Sequence, residues 1–168
     1  MNSNHERIAI VPGSFDPITY GHIDIVKRAS AMYDKVYLAV MINSEKRYMF
    51  SLEERTELAK TAVADIPNVS VISSEGMLWS LALELGACAI VKGVRNEVDR
   101  AYEEKMAKFN FEHNPNAQTV LLTAADGLEA VSSTVVRDAL ASGKDLRGLL
   151  PDSVVEELLK IRSFKSIP

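Results

Sequence analysis

Short, wholly apolar runs alternate with stretches of helical period along this chain, the pattern of a parallel sheet covered by helices. Ile8-Ala9-Ile10-Val11 is the first run, bounded by turn residues, and predicts a buried strand. Ile23, Val26, Ala29 and Met32 then recur at helical spacing. Lys35 to Met41 is a second strand, which closes a β-α-β unit. Ser51-Leu52-Glu53-Glu54 is a capping box, and the helix it opens carries Leu58, Ala59, Ala62 and Val63 on its apolar face. Val69 to Ile72 follows the Pro67-Asn68 turn as a third strand. Met77 to Leu85 then predicts a short helix with Leu78, Leu81, Ala82 and Leu85 inward. Gly86 stops that helix, and Cys88-Ala89-Ile90-Val91 is a fourth buried strand. Asn96 to His113 has a weak amphipathic period through Ala101, Tyr102, Met106 and Phe109, and predicts a long helix. Thr119 to Thr123 is the fifth strand. Clustered hydroxyls at 132–134 then open a helix to Ala141, and Pro151 opens the last, with Val154, Leu158, Leu159 and Ile161 on one face. The expectation is an α/β protein, a five-stranded parallel sheet with helices on both faces.

At 168 residues, 47% of them hydrophobic, the chain suits one well-buried domain spanning 1–168. Its 19 basic and 23 acidic residues give a net charge of -4. No overall basic field therefore recommends nucleic acid as a partner, and a phosphate ligand must be held by local charge. The polar N-terminal segment has no signal-peptide core, and no run of about 18 apolar residues offers a membrane span. A cytoplasmic protein without membrane contact is expected. Cys88 has no second cysteine to pair with and sits in an apolar run, which predicts a reduced core residue.

The chemistry gathers where strands end. Pro12-Gly13-Ser14-Phe15-Asp16-Pro17 links the first strand to its helix, at the edge of the sheet where open α/β folds hold ligands. Gly13 allows a close backbone approach, Ser14 offers a hydroxyl, and His22 stands in the first helical turn, where free amides favour phosphate. Lys46 and Arg47 follow the second strand, Lys92 and Arg95 the fourth, and Ser132, Ser133 and Thr134 the fifth.

Gly13-Ser14-Phe15-Asp16-Pro17 with Thr19-Tyr20-Gly21-His22 resembles the signature of the nucleotidyltransferase superfamily, in which many branches write H-x-G-H. The T-x-G-H form is most similar to the bacterial phosphopantetheine adenylyltransferase family. Lys46 to Arg55 resembles its K-x-x-x-F-x-x-E-E-R segment, Lys92-Gly93-Val94-Arg95 its R-G-x-R, Asp99 to Glu103 its D-x-x-Y-E, and Val131 to Arg137 the superfamily's I-S-S-T-x-V-R. Lys92 replaces an arginine and so lacks the bidentate fork. Val131 replaces isoleucine, and Leu128 stands near the place of a usual aromatic.

That resemblance implies a Rossmann-like nucleotidyltransferase fold. It further implies transfer of adenylate from ATP to 4'-phosphopantetheine, giving dephospho-coenzyme A and pyrophosphate without a covalent intermediate. By it His22 and Lys46 are catalytic, while Ser14, Lys46, Met77, Leu78 and Lys92 bind the acceptor. ATP falls to Ser14, Phe15, His22, Gly93, Arg95, Glu103, Val131, Ser132, Ser133 and Thr134. Glu53, Glu54 and Arg55 are expected on the helix surface or in subunit contacts, and Trp79 on the wall beside Met77 and Leu78. Mg2+ accompanies the ATP phosphates with no protein ligand named, the family forms hexamers, and coenzyme A can occupy the site as an inhibitor. Two alternatives stand beside this reading. One is a sister enzyme acting on nicotinate mononucleotide, or on glycerol phosphate with CTP. The other is a nucleotide-binding regulatory module without turnover.

Overall fold

The computed structural model describes residues 5–165; the first four residues of the polar N-terminal segment and residues 166–168 lie outside the described residues. Five parallel strands, β1 (Ile8–Gly13), β2 (Lys35–Met41), β3 (Val69–Ser74), β4 (Ala89–Val94) and β5 (Gln118–Thr123), form one sheet in the order β3-β2-β1-β4-β5. Between and after them run α1 (Tyr20–Met32), α2 (Leu52–Ala62), α3 (Leu78–Leu85), α4 (Glu97–His113), α5 (Ser133–Ala141) and α6 (Asp152–Lys165).

Alternation along each strand builds two cores, because successive side chains leave opposite faces of a sheet. Ala9, Val11, Val36, Leu38, Val40, Ala89 and Val91 pack with α1, α2, α5 and α6 on one face. Ile10, Ala39 and Ile90 pack with Ala82, Leu78, Leu81 and Leu85 of α3 on the other. Burial on both faces explains why the strands read as unbroken apolar runs. Among the described residues no helix is long and apolar enough to cross a membrane.

The order reverses between β1 and β4, so their carboxyl ends open a crevice at the centre of the sheet. Packing there is close. A Cβ on Gly93 of β4 would lie 2.9 Å from Cγ1 of Ile25 on α1, and one on Gly21 would lie 3.0 Å from the carbonyl oxygen of Val131. These two glycines let α1 sit against β4 and against the chain leading into α5.

Several expectations need correcting. Cys88 is exposed, because the buried part of the fourth strand begins at Ala89. β4 continues through Lys92 and Gly93, which pair with Leu121 and Leu122 of β5 rather than lying in the loop beyond. Arg55 is only 1% exposed and belongs to the interior. Met32 and Leu159 point to solvent, and Tyr102 and Phe109 leave the apolar stripe of α4 largely uncovered. Pro151 lies just before α6, where its carbonyl accepts from Val154 and Val155. Trp79 stacks on His113, with ring centroids 5.1 Å apart.

Replacing Gly93 with alanine forces Ile25 out of place. Overpacking of this kind costs about 1–3 kcal/mol, and urea unfolding of Gly93→Ala should show that loss as a lower midpoint at unchanged slope.

Candidate functional site

The crevice is a cleft of about 620 Å³ lined by residues from the segments that follow β1, β2, β4 and β5. Ser14, Phe15, His22, Lys46, Lys92, Gly93, Arg95, Glu103, Val131, Ser132, Ser133 and Thr134 all border it. Met77 and Leu78 do not; they line a neighbouring cavity of about 450 Å³ with Tyr102 and Met106. Lys92 and Glu103 border both spaces, and their ion pair, 3.3 Å long, stands at the junction.

Thr19 and His22 form the cap of α1. The Thr19 hydroxyl accepts from the His22 amide, while the His22 Nδ1 accepts from the Thr19 amide at 3.0 Å. A histidine thus takes the place of the carboxylate in an ordinary capping box. Since Nδ1 must carry a lone pair to accept, the proton of the neutral ring sits on Nε2 and can be offered to the cleft. The ring also meets Phe15 edge-on at 5.0 Å. Burial lowers the His22 pKa to about 4, helped by the positive charges of Lys92 and Arg95. His22 is a neutral hydrogen-bond donor across the neutral pH range.

Phe15 has φ of 49°, a left-handed conformation uncommon for a bulky residue. Its ring folds back over Gly13, where a Cβ would lie 2.9 Å from the ring edge, and its side chain is buried. Phe15 therefore shapes the loop from below. Asp16 beside it directs both carboxylate oxygens inward, accepting from the amides of Met49 at 2.9 Å and Phe50 at 3.0 Å.

Five cationic side chains, Lys46, Arg47, Lys92, Arg95 and Arg137, border the cleft against three carboxylates, Asp16, Asp99 and Glu103. Arg95 grips Asp99 through Nε at 2.9 Å and its second nitrogen at 3.5 Å. Arg137 donates to the Asp16 carbonyl at 2.8 Å and to the Thr134 hydroxyl at 3.1 Å. Lys46 has no carboxylate partner among the described residues; its ammonium lies 3.5 Å from the Ser14 hydroxyl.

Ser132 caps α5 by accepting from the Val135 amide, and Ser133 donates to the Pro17 carbonyl at 2.8 Å. The amino-terminal ends of α1 and α5 therefore meet at one place, each with a positive dipole end and first-turn amides. The arrangement suits a chain of phosphates.

Sequence reasoning missed Asp16, Arg55 and Arg137 as organisers of the site. Arg137 closes the S-S-T-x-V-R signature and could have been read from it. Asp16 sits in the loop signature with a carboxylate between two prolines' reach, a residue type that commonly binds backbone amides in turns.

Comparison with known proteins agrees with the motifs. The cytidylyltransferase-like family model matches residues 10–139. A phosphopantetheine adenylyltransferase from Caldanaerobacter subterraneus subsp. tengcongensis is 44% identical over 154 residues, 92% of this chain and 96% of the relative. One from Flavobacterium psychrophilum is 43% identical over 148 residues, 88% of this chain and 97% of the relative. One from Rubrobacter xylanophilus is 44% identical over 157 residues, 94% of this chain and 96% of the relative. With its motifs at the open ends of the strands and its length matched almost entirely, the chain belongs to the cytidylyltransferase-like family, in the phosphopantetheine adenylyltransferase group.

Proposed function

We propose that this chain, acting as a single nucleotidyltransferase domain, transfers the adenylyl group of ATP to 4'-phosphopantetheine, yielding dephospho-coenzyme A and pyrophosphate. The observation that carries this reading is one cleft joining a neutral histidine donor, an uncommitted lysine and two helix amino-termini, with a largely apolar cavity beside it. The cleft has the size and charge for polyphosphate. The neighbouring cavity, with Met77 and Leu78, suits an apolar arm.

In this mechanism a phosphate oxygen of the acceptor attacks the α-phosphorus of ATP. The new P–O bond forms as the bond to the β-phosphate oxygen breaks, and pyrophosphate leaves with that electron pair. Lys46 and Ser14 hold the attacking phosphate. His22 donates from Nε2 to an oxygen of the α-phosphate as its charge grows, an interaction strongest in the transition state. Lys92, Arg95 and the α5 amino-terminus, with Ser132, Ser133 and Thr134, receive the leaving pyrophosphate. Asp99 and Glu103 release their cations as the phosphates enter. Thr19, whose hydroxyl lies 3.2 Å from His22 Nδ1, is fully buried, and Ser14 beside Lys46 is a phosphate ligand in this reading, so the acceptor's own phosphate serves as the nucleophile in a direct displacement.

Mg2+ belongs to the proposal as part of the substrate, MgATP. Among the described residues no cluster of three or more His, Cys, Asp or Glu side chains could hold a metal, and the three cleft carboxylates are already bonded to amides or cations. These residues do not form a resident metal site. A cytoplasmic location, inhibition by coenzyme A and assembly into a homo-oligomer, a hexamer by family resemblance, complete the proposal. Exposed Met77, Leu83, Val98, Tyr102 and Phe111 on and beside α3 and α4 favour self-association.

Pyrophosphate release from MgATP should require 4'-phosphopantetheine. Release with nicotinate mononucleotide or glycerol phosphate instead would move the chain to a sister activity, and silence with all three would leave a nucleotide-binding module. His22→Ala should lower kcat by about 10²–10³-fold with little change in ATP affinity, since its contact forms mainly in the transition state.

The His22 environment also sets a pH dependence. The unfolded histidine takes its proton near 6.5 and the folded one near 4, so its contribution to stability is full above 6.5 and is lost as pH falls toward 4. NMR titration of the imidazole should place its midpoint near 4 in the free protein. A midpoint near 6.5 would show that the ring is open to solvent and its donor state unfixed.

A further inference from the structure

We propose that Arg55 is a positioning residue of this site: its buried guanidinium locks the Lys46 turn to the Ser14 loop, so that both meet the acceptor's phosphate in register. The idea rests on the adenylyl-transfer reading above and extends it to a side chain that does not border the cleft.

Arg55 lies one turn inside α2, and three pieces of chain converge on its head. Nη1 donates to the Ser14 carbonyl at 2.6 Å and to the Met41 carbonyl, at the end of β2, at 3.0 Å. Nε donates to the Phe50 carbonyl at 3.2 Å. The Tyr48 ring covers the guanidinium, with its centroid 3.9 Å away. A planar fork is needed to reach separate carbonyls while one face stacks on an aromatic ring, and a lysine ammonium cannot do both.

Through Tyr48 this grip extends to Lys46. The Tyr48 hydroxyl accepts from the Asn43 amide at 2.6 Å and donates to the Asn43 carbonyl at 3.3 Å, closing the turn. Within that turn the Lys46 amide donates to the same Asn43 carbonyl, and the Asn43 side chain accepts from Glu45. Lys46 itself is exposed, with the Ser14 hydroxyl as its neighbour at 3.5 Å. Its direction is therefore set by the turn beneath it, and the turn is set by Tyr48 on Arg55.

The same guanidinium holds Ser14 from below. One cation thus fixes both members of the Lys46–Ser14 pair, whereas Arg95, Arg137 and the α5 hydroxyls hang on other elements. Loosening Arg55 should damage capture and alignment of the acceptor phosphate and leave the triphosphate side largely intact.

The test compares the wild type, Arg55→Lys, Tyr48→Phe, Lys46→Ala and the two double variants carrying Lys46→Ala. The readouts are kcat/KM for 4'-phosphopantetheine at saturating MgATP, the MgATP dissociation constant, and thermal unfolding. Arg55→Lys should lower kcat/KM by about 30-fold, in line with the cost of misplacing a reacting group by around an ångström, and should move MgATP affinity by less than about 3-fold. In the Lys46→Ala background the same change should cost less than about 3-fold, because a residue that acts through another loses its effect when that residue is gone.

Equal losses in both backgrounds, or an equal loss in MgATP affinity, would overturn the role and leave Arg55 a stabiliser of the fold. Should Arg55→Lys not fold, Tyr48→Phe carries the same test, since it keeps the stacked ring and removes the tie to Asn43. A loss of about 5-fold confined to the background with Lys46 supports the proposal, and equal losses in both overturn it. A wild type that releases no pyrophosphate with 4'-phosphopantetheine would overturn the functional reading itself. An active wild type with equal losses overturns the role of Arg55 alone.

Discussion

The site depends on one buried carboxylate. Asp16, 2% exposed, gives both oxygens to the amides of Met49 and Phe50, while its carbonyl takes the guanidinium of Arg137 from α5. A charge removed from water is tolerated only when its lone pairs are satisfied, so these bonds must form together for the loop after β1 to close. Once they form, the loop carrying Ser14, the loop carrying Lys46 and the start of α5 are tied at one point. Arg55 repeats the tie between the first two loops from within the core. Lys165 of α6 adds a brace, pairing with Glu54 at 2.8 Å and reaching the Met49 carbonyl. The last helix thereby supports a loop far from it in sequence.

Electrostatics in the cleft follow from what this scaffold leaves over. Arg95 and Lys92 are held by Asp99 and Glu103, so two cations of the cleft are kept extended and partly neutralised before any anion arrives. In the proposed reaction a polyphosphate would exchange with these carboxylates rather than meet mobile side chains, which would reduce the ordering cost of binding. Burial, helped by the positive charges of Lys92 and Arg95, keeps His22 neutral. Its cap fixes the tautomer, so charge and geometry agree on a donor at Nε2.

Much of this was legible in the chain because it is local. The Ser51–Glu54 capping box closes as read, with both reciprocal bonds present. β2 has the expected bounds, and the apolar runs become the centre of the sheet. What escaped depends on distant partners. Lys92 and Gly93 belong to β4 because β5 runs alongside as far as the Val94–Thr123 pair, and strand length is set by that neighbour. Arg55, an arginine one turn past a helix cap, is a surface residue by every local measure. Only the meeting of the Ser14, Met41 and Phe50 carbonyls makes an interior place for it. Cys88 shows the reverse case, an apolar neighbour of a buried strand left outside the stretch that the helices cover. The tautomer of His22 was within reach, since Thr19 and His22 stand three apart as the two ends of a capping box do.

The central claim is that the cleft aligns two phosphate groups for a single displacement without a protein nucleophile. The most direct measurement is the stereochemical course at the α-phosphorus, using ATP made chiral there by sulfur substitution and 4'-phosphopantetheine as acceptor. One in-line displacement inverts the configuration of the product, and that is the result this account predicts. Retention would require two displacements and a covalent adenylyl-protein intermediate, and would contradict it.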